Sequence, residues 1–243
     1  MLKEKIEIRN LTQRYGRKTA LHEVSLSMGT GMHGLLGRNG AGKTTLMRTM
    51  VGLLPVRAGE INLCGISVQD VPEIRKIVGY LPQEFSMYPN MKVYEVLDYI
   101  GVLSEMPKQL RESRIEELLH KVNLYQERNK KVKSLSGGMK RRVGVAQALL
   151  HEPKIVIADE PTVGLDPEER VRLRGLLMEE AKDKIVILST HIVEDIKASC
   201  EDVVILDDGH LVYDGGTTDL IELTQTNGIE DAYLKIIHSR EVQ

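Results

Sequence analysis

At 243 residues with 42% hydrophobic residues, the chain is long enough to bury a substantial core, as one large domain or two small ones. Its formal net charge of -2 excludes a global pull toward nucleic acid or anionic membrane, and 4% aromatics with no tryptophan leave no stacking platform for single strands. Cys64 and Cys200, far apart and without CxxC spacing, read as ordinary thiols of a reducing compartment.

The charged opening MLKEKIEIRN lacks the apolar core of a secretory signal. No stretch reaches the roughly 18 apolar residues of a membrane span. The chain is therefore expected to be soluble, and work at a membrane would need a partner to hold it there. The first sixty-odd residues alternate apolar and polar positions as half-buried strands do: Ile6 and Ile8, then Val24, Leu26 and Met28, then Glu60-Ile61-Asn62-Leu63. Gly34-Leu35-Leu36 is a short apolar run leading into a glycine-rich loop. Thr44 to Leu54 carries Leu46, Met47, Met50, Val51 and Leu54 at helical spacing.

From Tyr88 to His151 the pattern is mainly helical: Val93, Val96, Leu97 and Ile100 share one face, and Ile115, Leu118, Leu119 and Val122 share another. Pro89 and Pro107 punctuate the segment. Two runs follow, KIVIADE (154–160) and KIVILST (184–190), each flanked by helical stretches. Being β-branched and apolar throughout, they read as parallel strands buried on both faces. VVILDDGHLVYDGG is a β pair with a turn at Asp208-Gly209. The tail from about Leu220 reads as helix. The predicted fold class is α/β, a nucleotide-binding core with a helical block inserted between its early and late strands, treated as one domain over 1–243. The core covers about 1–87 and 152–225, the helical block about 88–151 and the tail about 220–243.

Gly37-Arg38-Asn39-Gly40-Ala41-Gly42-Lys43-Thr44 fits the phosphate-binding P-loop, G-x-x-x-x-G-K-[ST]. Glycines let the backbone curl so that its N–H groups face a phosphate, and the helix beginning near Lys43 adds the positive end of its dipole. Lys43 reaches the terminal phosphates, Thr44 offers a hydroxyl to Mg2+, and Thr45 either supports phosphate contacts or caps the helix. The base-reading NKxD of GTPases is absent, since Asn129-Lys130-Lys131 ends in Val132. At the end of the 155–160 run, Asp159 is placed to hold Mg2+ and Glu160 to take a proton from an attacking water. A solvated acidic loop is the plain alternative. Leu135-Ser136-Gly137-Gly138-Met139 opens a helix and is either a second anion site or a simple N-cap.

These motifs together resemble the nucleotide-binding subunit of an ABC transporter over residues 3 to 225. Gln83, in Gly79-Tyr80-Leu81-Pro82-Gln83, matches the Q-loop glutamine. Leu135 to Met139 matches the LSGGQ signature, 155–160 the Walker B strand, and Gly164-Leu165-Asp166 the D-loop. His191, in Ser189-Thr190-His191, matches the switch histidine, and Tyr15, in Arg14-Tyr15-Gly16, the aromatic that stacks on adenine. Three positions depart from the pattern: Arg38 where proline is common, Met139 for the signature glutamine, and Val163 where the D-loop often has serine.

The resemblance implies a P-loop NTPase core with a mainly parallel sheet, an N-terminal antiparallel β subdomain and an inserted helical subdomain. It implies ATP and Mg2+ as cofactors. Glu160, His191 and Gln83 would be catalytic, and Thr44, Gln83 and Asp159 would hold the metal. Tyr15, Gly37, Asn39, Gly40, Ala41, Gly42, Lys43, Thr44, Thr45, Ser136, Gly137, Gly138 and Asp166 would bind nucleotide. Two such subunits would meet head to tail, here as a homodimer, each ATP lying between one P-loop and the other Ser-Gly-Gly. A separate transmembrane permease would dock near the Gln83 loop, with Phe85, Met87 and Tyr88 either forming the docking groove or packing locally. The chain would then be cytoplasmic, held at the inner face of the cell membrane, with no nucleic-acid partner. Met91 to Leu97 resembles stand-alone ATPases of bacterial drug, peptide or lipid-type exporters. The alternatives are a soluble ABC ATPase acting on ribosomes or DNA, and a binding module without turnover.

Overall fold

The computed structural model describes residues 5–84 and 87–241. Strands β1 (Lys5–Tyr15) and β2 (Lys18–Gly29) form an antiparallel hairpin whose alternate side chains, Ile6, Ile8, Leu11, Val24, Leu26 and Met28, are buried. β4 (Ala58–Leu63) pairs with the other edge of β1 and β5 (Ile66–Ser67) follows it, giving an antiparallel sheet of order β2-β1-β4-β5. The second sheet is built from β3 (Gly31–Leu36), β6 (Val78–Leu81), β7 (Ile155–Asp159), β8 (Ile185–Thr190), β9 (Asp202–Asp207) and β10 (His210–Gly216). Its order is β10-β9-β3-β8-β7-β6, parallel except for β10, which returns antiparallel to β9.

Every residue of β7 and β8 is buried, as continuous apolar runs require when both faces are covered. Ile155, Ile157, Ile185 and Ile187 enter a core shared with the antiparallel sheet and α1 (Lys43–Met50). Val156, Ala158, Val186 and Leu188 enter the opposite core. There they meet α3 (Val93–Leu103), α4 (Lys108–Lys121), α5 (Gly137–Leu149), α6 (Pro167–Glu180) and α7 (Val193–Ser199). The inserted helices thus share a core with the parallel sheet. Val93, Leu97, Ile115, Leu118 and Leu119 lie fully buried in that seam. At about 1.5–3 kcal/mol per buried aliphatic side chain, they outweigh exposed pairs such as Lys108–Glu112, each worth roughly 0–1 kcal/mol.

Two local features differ from the sequence expectation, the end of the first helix and the tail, and a short helix between them was not anticipated. The helix expected over Thr44 to Leu54 ends at Met50, where the amides of Leu53 and Leu54 both turn back to the Arg48 carbonyl. Gly52 explains the stop: at φ 71° it takes the left-handed position just past the helix, and its amide donates to the Thr49 carbonyl at 3.1 Å, which with the Leu53–Arg48 bond closes the helix end. A short helix, α2 (Val71–Ile77), starts on Pro72 in its first turn, where a missing N–H costs nothing. The tail is two helices rather than one: α8 (Thr217–Thr224) stops at Gln225, φ 53°, and α9 (Ile229–Glu241) follows. Lys235 Nζ donates to the Thr224 carbonyl at 2.6 Å and so caps the first helix from the second.

Candidate functional site

The glycine-rich loop joins β3 to α1, so Lys43 and Thr44 open a helix at the carboxyl edge of the parallel sheet. Gly42 is at φ 106°, and a Cβ there would lie 2.8 Å from both the Ala20 carbonyl oxygen and Leu21 Cδ2, so only glycine fits. The turn between β9 and β10 backs the loop. The Gly209 amide donates to the Ala41 carbonyl at 3.0 Å, and the Gly209 carbonyl accepts from the His22 amide at 2.8 Å. Gly37 is buried beneath the loop, and its carbonyl accepts from Lys43 Nζ at 2.6 Å. Burial pulls the Lys43 ammonium below its usual pKa, and the carboxylates of Glu160 and Asp159 oppose that pull.

A cleft of about 380 Å3 opens over the loop. Asn39, Gly40, Ala41, Gly42, Lys43, Thr44 and Thr45 line it, together with Tyr15, Gln83, Asp159 and Glu160. Tyr15 is about half exposed at the end of β1, with its hydroxyl 3.5 Å from Thr45 Oγ1. Thr44 Oγ1 donates to Asp159 Oδ2 at 3.2 Å, which brings two hard oxygen donors to one point.

Glu160 is 4% exposed and sits at φ 53°, a left-handed conformation that costs about 1–3 kcal/mol and persists only where surroundings over-determine it. Its amide donates to the Ser189 carbonyl at 2.9 Å, across to β8. One carboxylate oxygen, Oε1, lies 2.8 Å from His191 Nδ1. A carboxylate only accepts, so Nδ1 carries the hydrogen and Nε2 is left toward solvent. The other oxygen, Oε2, is buried and has no partner among the described residues.

The remaining predicted residues lie elsewhere. Ser136 Oγ caps α5, accepting from the Met139 amide at 3.2 Å, and Gly138 approaches Leu165 and Gly164. Asp166 Oδ1 caps α6, accepting from the Glu169 amide at 2.9 Å. None of Ser136, Gly137, Gly138 and Asp166 lines the cleft, so one chain brings the P-loop, Walker B and histidine residues together and holds the signature and D-loop apart. Met87 packs against the helical core, and Tyr88, about half exposed, meets Tyr99 edge-on at 5.4 Å. Phe85 lies outside the described residues. Sequence reasoning missed Lys18 and Asp208, which also line the cleft, and Arg141, whose guanidinium lies behind Glu160. The basic run Lys140-Arg141-Arg142 was the one available signal, and a solvated helix face explains such a run equally well.

A strand, a glycine loop against a helix start, and an acidic strand end beside it define a P-loop nucleotide hydrolase. Residues 21–163 match the family described as ABC transporter, and the chain belongs to that family. It is 38% identical over 223 residues to the ABC transporter ATP-binding protein YxlF of Bacillus subtilis (strain 168), covering 91% of this chain and 74% of that one. It is 33% identical to the linearmycin resistance ATP-binding protein LnrL of the same organism, covering 96% of this chain and 79% of the relative. It is 36% identical to the Nod factor export ATP-binding protein I of Cupriavidus pinatubonensis, covering 89% and 68%. Among solved structures, an ATP-binding subunit of an ABC transporter superposes with a TM-score of 0.89 at 28% identity, covering 96% of this chain and 99% of that chain. The cbiO1 protein of Clostridium perfringens, part of the ABC transporter complex cbiONQ, gives 0.78 at 25% identity, covering 90% and 91%. The chain is an ATP-binding ABC transporter subunit with ATPase chemistry.

Proposed function

We propose that this chain powers export by a membrane transporter, through ATP-driven head-to-tail pairing of two copies and hydrolysis at Glu160. The observation that carries the chemistry is the Glu160 carboxylate, on a residue that lines the P-loop cleft: one oxygen is held on His191, and the other is buried without a partner among the described residues. A buried acceptor without a donor is costly, and an attacking water would supply the missing hydrogen. Glu160 then takes the water's proton. His191, anchored through Nδ1, keeps Nε2 for the terminal phosphate. Tyr15 offers its ring to the adenine, and the amides from Asn39 to Thr45, with Lys43, hold the phosphates of ATP. Thr44 and Asp159, with the Gln83 amide, suit Mg2+, which takes a few oxygen ligands plus substrate phosphates and would neutralise developing phosphate charge.

Ser136, Gly137, Gly138 and Asp166 stand apart from the cleft, so we assign them to the nucleotide of a second copy. This supports a homodimer with two sites, each incomplete in one chain. We read 1–243 as one ATPase domain: a core over about 1–87 and 152–225, a helical subdomain over about 88–151, and a tail over about 220–243.

Beside the Gln83 loop, a groove of about 690 Å3 runs between Leu53, Leu54, Tyr80, Pro82, Ile100 and His151. We assign it to a separate permease subunit, in place of Met87 and Tyr88. No helix among the described residues is long and apolar enough to cross a membrane, so such a permease would hold the chain at the cytoplasmic face. The export direction leans on relatives named for Nod factor export and linearmycin resistance.

The test is ATP hydrolysis by wild type and Glu160→Gln, with sizing in ATP. Wild type should turn over slowly and cooperatively. The variant should lose about 10²–10⁴-fold, the usual contribution of a general base, and accumulate as an ATP-bound dimer. A variant that hydrolyses like wild type would refute the assignment of Glu160.

A further inference from the structure

Arg141 lies on α5, five residues after Ser136, and is 9% exposed. Its Nη1 donates to the carbonyls of Pro82 and Gln83, at 2.9 and 2.7 Å. Its Nη2 donates to the carbonyls of Asp159 and Glu160. One guanidinium thus closes on four backbone acceptors from two loops, those leaving the neighbouring parallel strands β6 and β7. Among the described residues no carboxylate oxygen is bonded to it; its partners are main-chain carbonyls. Its Nε is buried with no partner among the described residues, a loss of about 1–3 kcal/mol for a polar group.

We propose that Arg141 is a positioning residue that fixes the left-handed Glu160 and the Gln83 loop in one arrangement, and makes both follow the helix that begins at Ser136. The left-handed turn at Glu160 takes its carbonyl out of the β ladder, where it accepts from Arg141 Nη2 and, at 3.3 Å, from the Val163 amide. The planar fork sets the distance between the two loops. Lysine has all its donors on one nitrogen and cannot span four carbonyls. Burial pulls the guanidinium pKa down, and the Asp159 and Glu160 charges nearby oppose that pull. Because Ser136 opens the same helix, any displacement of α5 by a second copy's nucleotide reaches Glu160 through a single side chain. This inference rests on the reading of Glu160 as the catalytic base.

The test uses the full chain with Arg141→Lys and Arg141→Met beside Glu160→Gln. Hydrolysis is followed in single-turnover mode with protein in excess over ATP, and affinity is followed with a fluorescent ATP analogue. Both Arg141 variants should lose at least tenfold in the hydrolysis rate constant. Half-saturating ATP and analogue affinity should stay within about threefold of wild type, because the P-loop is untouched. The Arg141→Lys change should not rescue the rate despite its retained charge. In a Glu160→Gln background, Arg141→Lys should still form the ATP-bound dimer. A fall of less than tenfold overturns the proposal, and so does a fall matched by an equal loss of affinity and of the dimer, the signature of a mere scaffold. Should Arg141→Met fail to fold, Arg141→Lys decides alone. If Glu160→Gln itself hydrolyses normally, the reading of Glu160 has failed, and that result is independent of the Arg141 rates.

Discussion

Gly79→Ala perturbs the point where the parallel sheet meets the helix that carries Arg141. Gly79 lies in β6 opposite Val156, and a Cβ there would sit 1.9 Å from the carbonyl oxygen of Ala148, near the end of α5, and 3.0 Å from Pro153 Cγ. An ordinary carbon–oxygen contact is about 3.3 Å, so α5 or β6 must give by about 1.4 Å. The obstacle is helix backbone, which cannot rotate away as a side chain does. Leu149 and Leu150 are fully buried beside it, so retreat also opens the core. Overpacking costs typically 1–3 kcal/mol, and a backbone obstacle puts this change at the top of that range. For a chain of this size each kcal/mol lowers Tm by about 2–4 °C, so about 3 kcal/mol should lower it by about 6–12 °C. Gly175→Ala is the control. Gly175 lies in α6, exposed, with nothing within 4 Å of its Cβ position. There the same substitution should stabilise by about 0.5–1 kcal/mol through helix propensity. Thermal melts followed by circular dichroism read both. Equal shifts in the two variants, or a Gly79→Ala melt within 2 °C of wild type, would refute the close-approach argument.

Two further predictions concern buried polar groups. Burial lowers the pKa of His151 below 6.5, with only a backbone hydrogen bond to Val78 opposing, and its Nε2 has no partner among the described residues. The unfolded chain therefore takes up a proton near pH 6.5 that the folded chain resists. Stability from neutral His151 is present above 6.5 and is lost as pH falls toward the lower folded value. Melts of wild type and His151→Gln from pH 8 to 5 should show the wild-type advantage shrinking below 6.5; a gap independent of pH contradicts the burial argument. Asp195, fully buried on α7, accepts from Thr162 Oγ1 at 2.6 Å and from Arg174 Nη1 at 2.8 Å. Asp195→Ala strands Arg174 and should cost about 3–5 kcal/mol in urea unfolding, whereas adding Arg174→Met should recover part of that loss. Additive losses would show that the pair is not coupled.

What could be read from sequence, and what could not, divides by the kind of atom that makes each contact. The runs 155–159 and 185–190 were legible as doubly covered strands because unbroken apolar stretches have few other uses in a chain of this size. The P-loop was legible because its glycines, lysine and threonine act at fixed local spacing within one strand–loop–helix unit. Asp208-Gly209 was legible as a turn. Its support of Ala41 was not, because that bond runs between backbone atoms. Ser136 and Asp166 carry side chains fit for a ligand, and within one chain both are used as helix caps, an alternative that sequence left open for Ser136. Arg141 is the extreme case. All four of its acceptors are main-chain carbonyls, at Pro82, Gln83, Asp159 and Glu160. Any residue type at those four positions would present the same acceptor, so side-chain identity there carries no trace of the contact. Substituting those residues would test their own side chains and leave the carbonyls in place. The contact can be broken cleanly only from the arginine's end, which is why the variants that test it are made at Arg141.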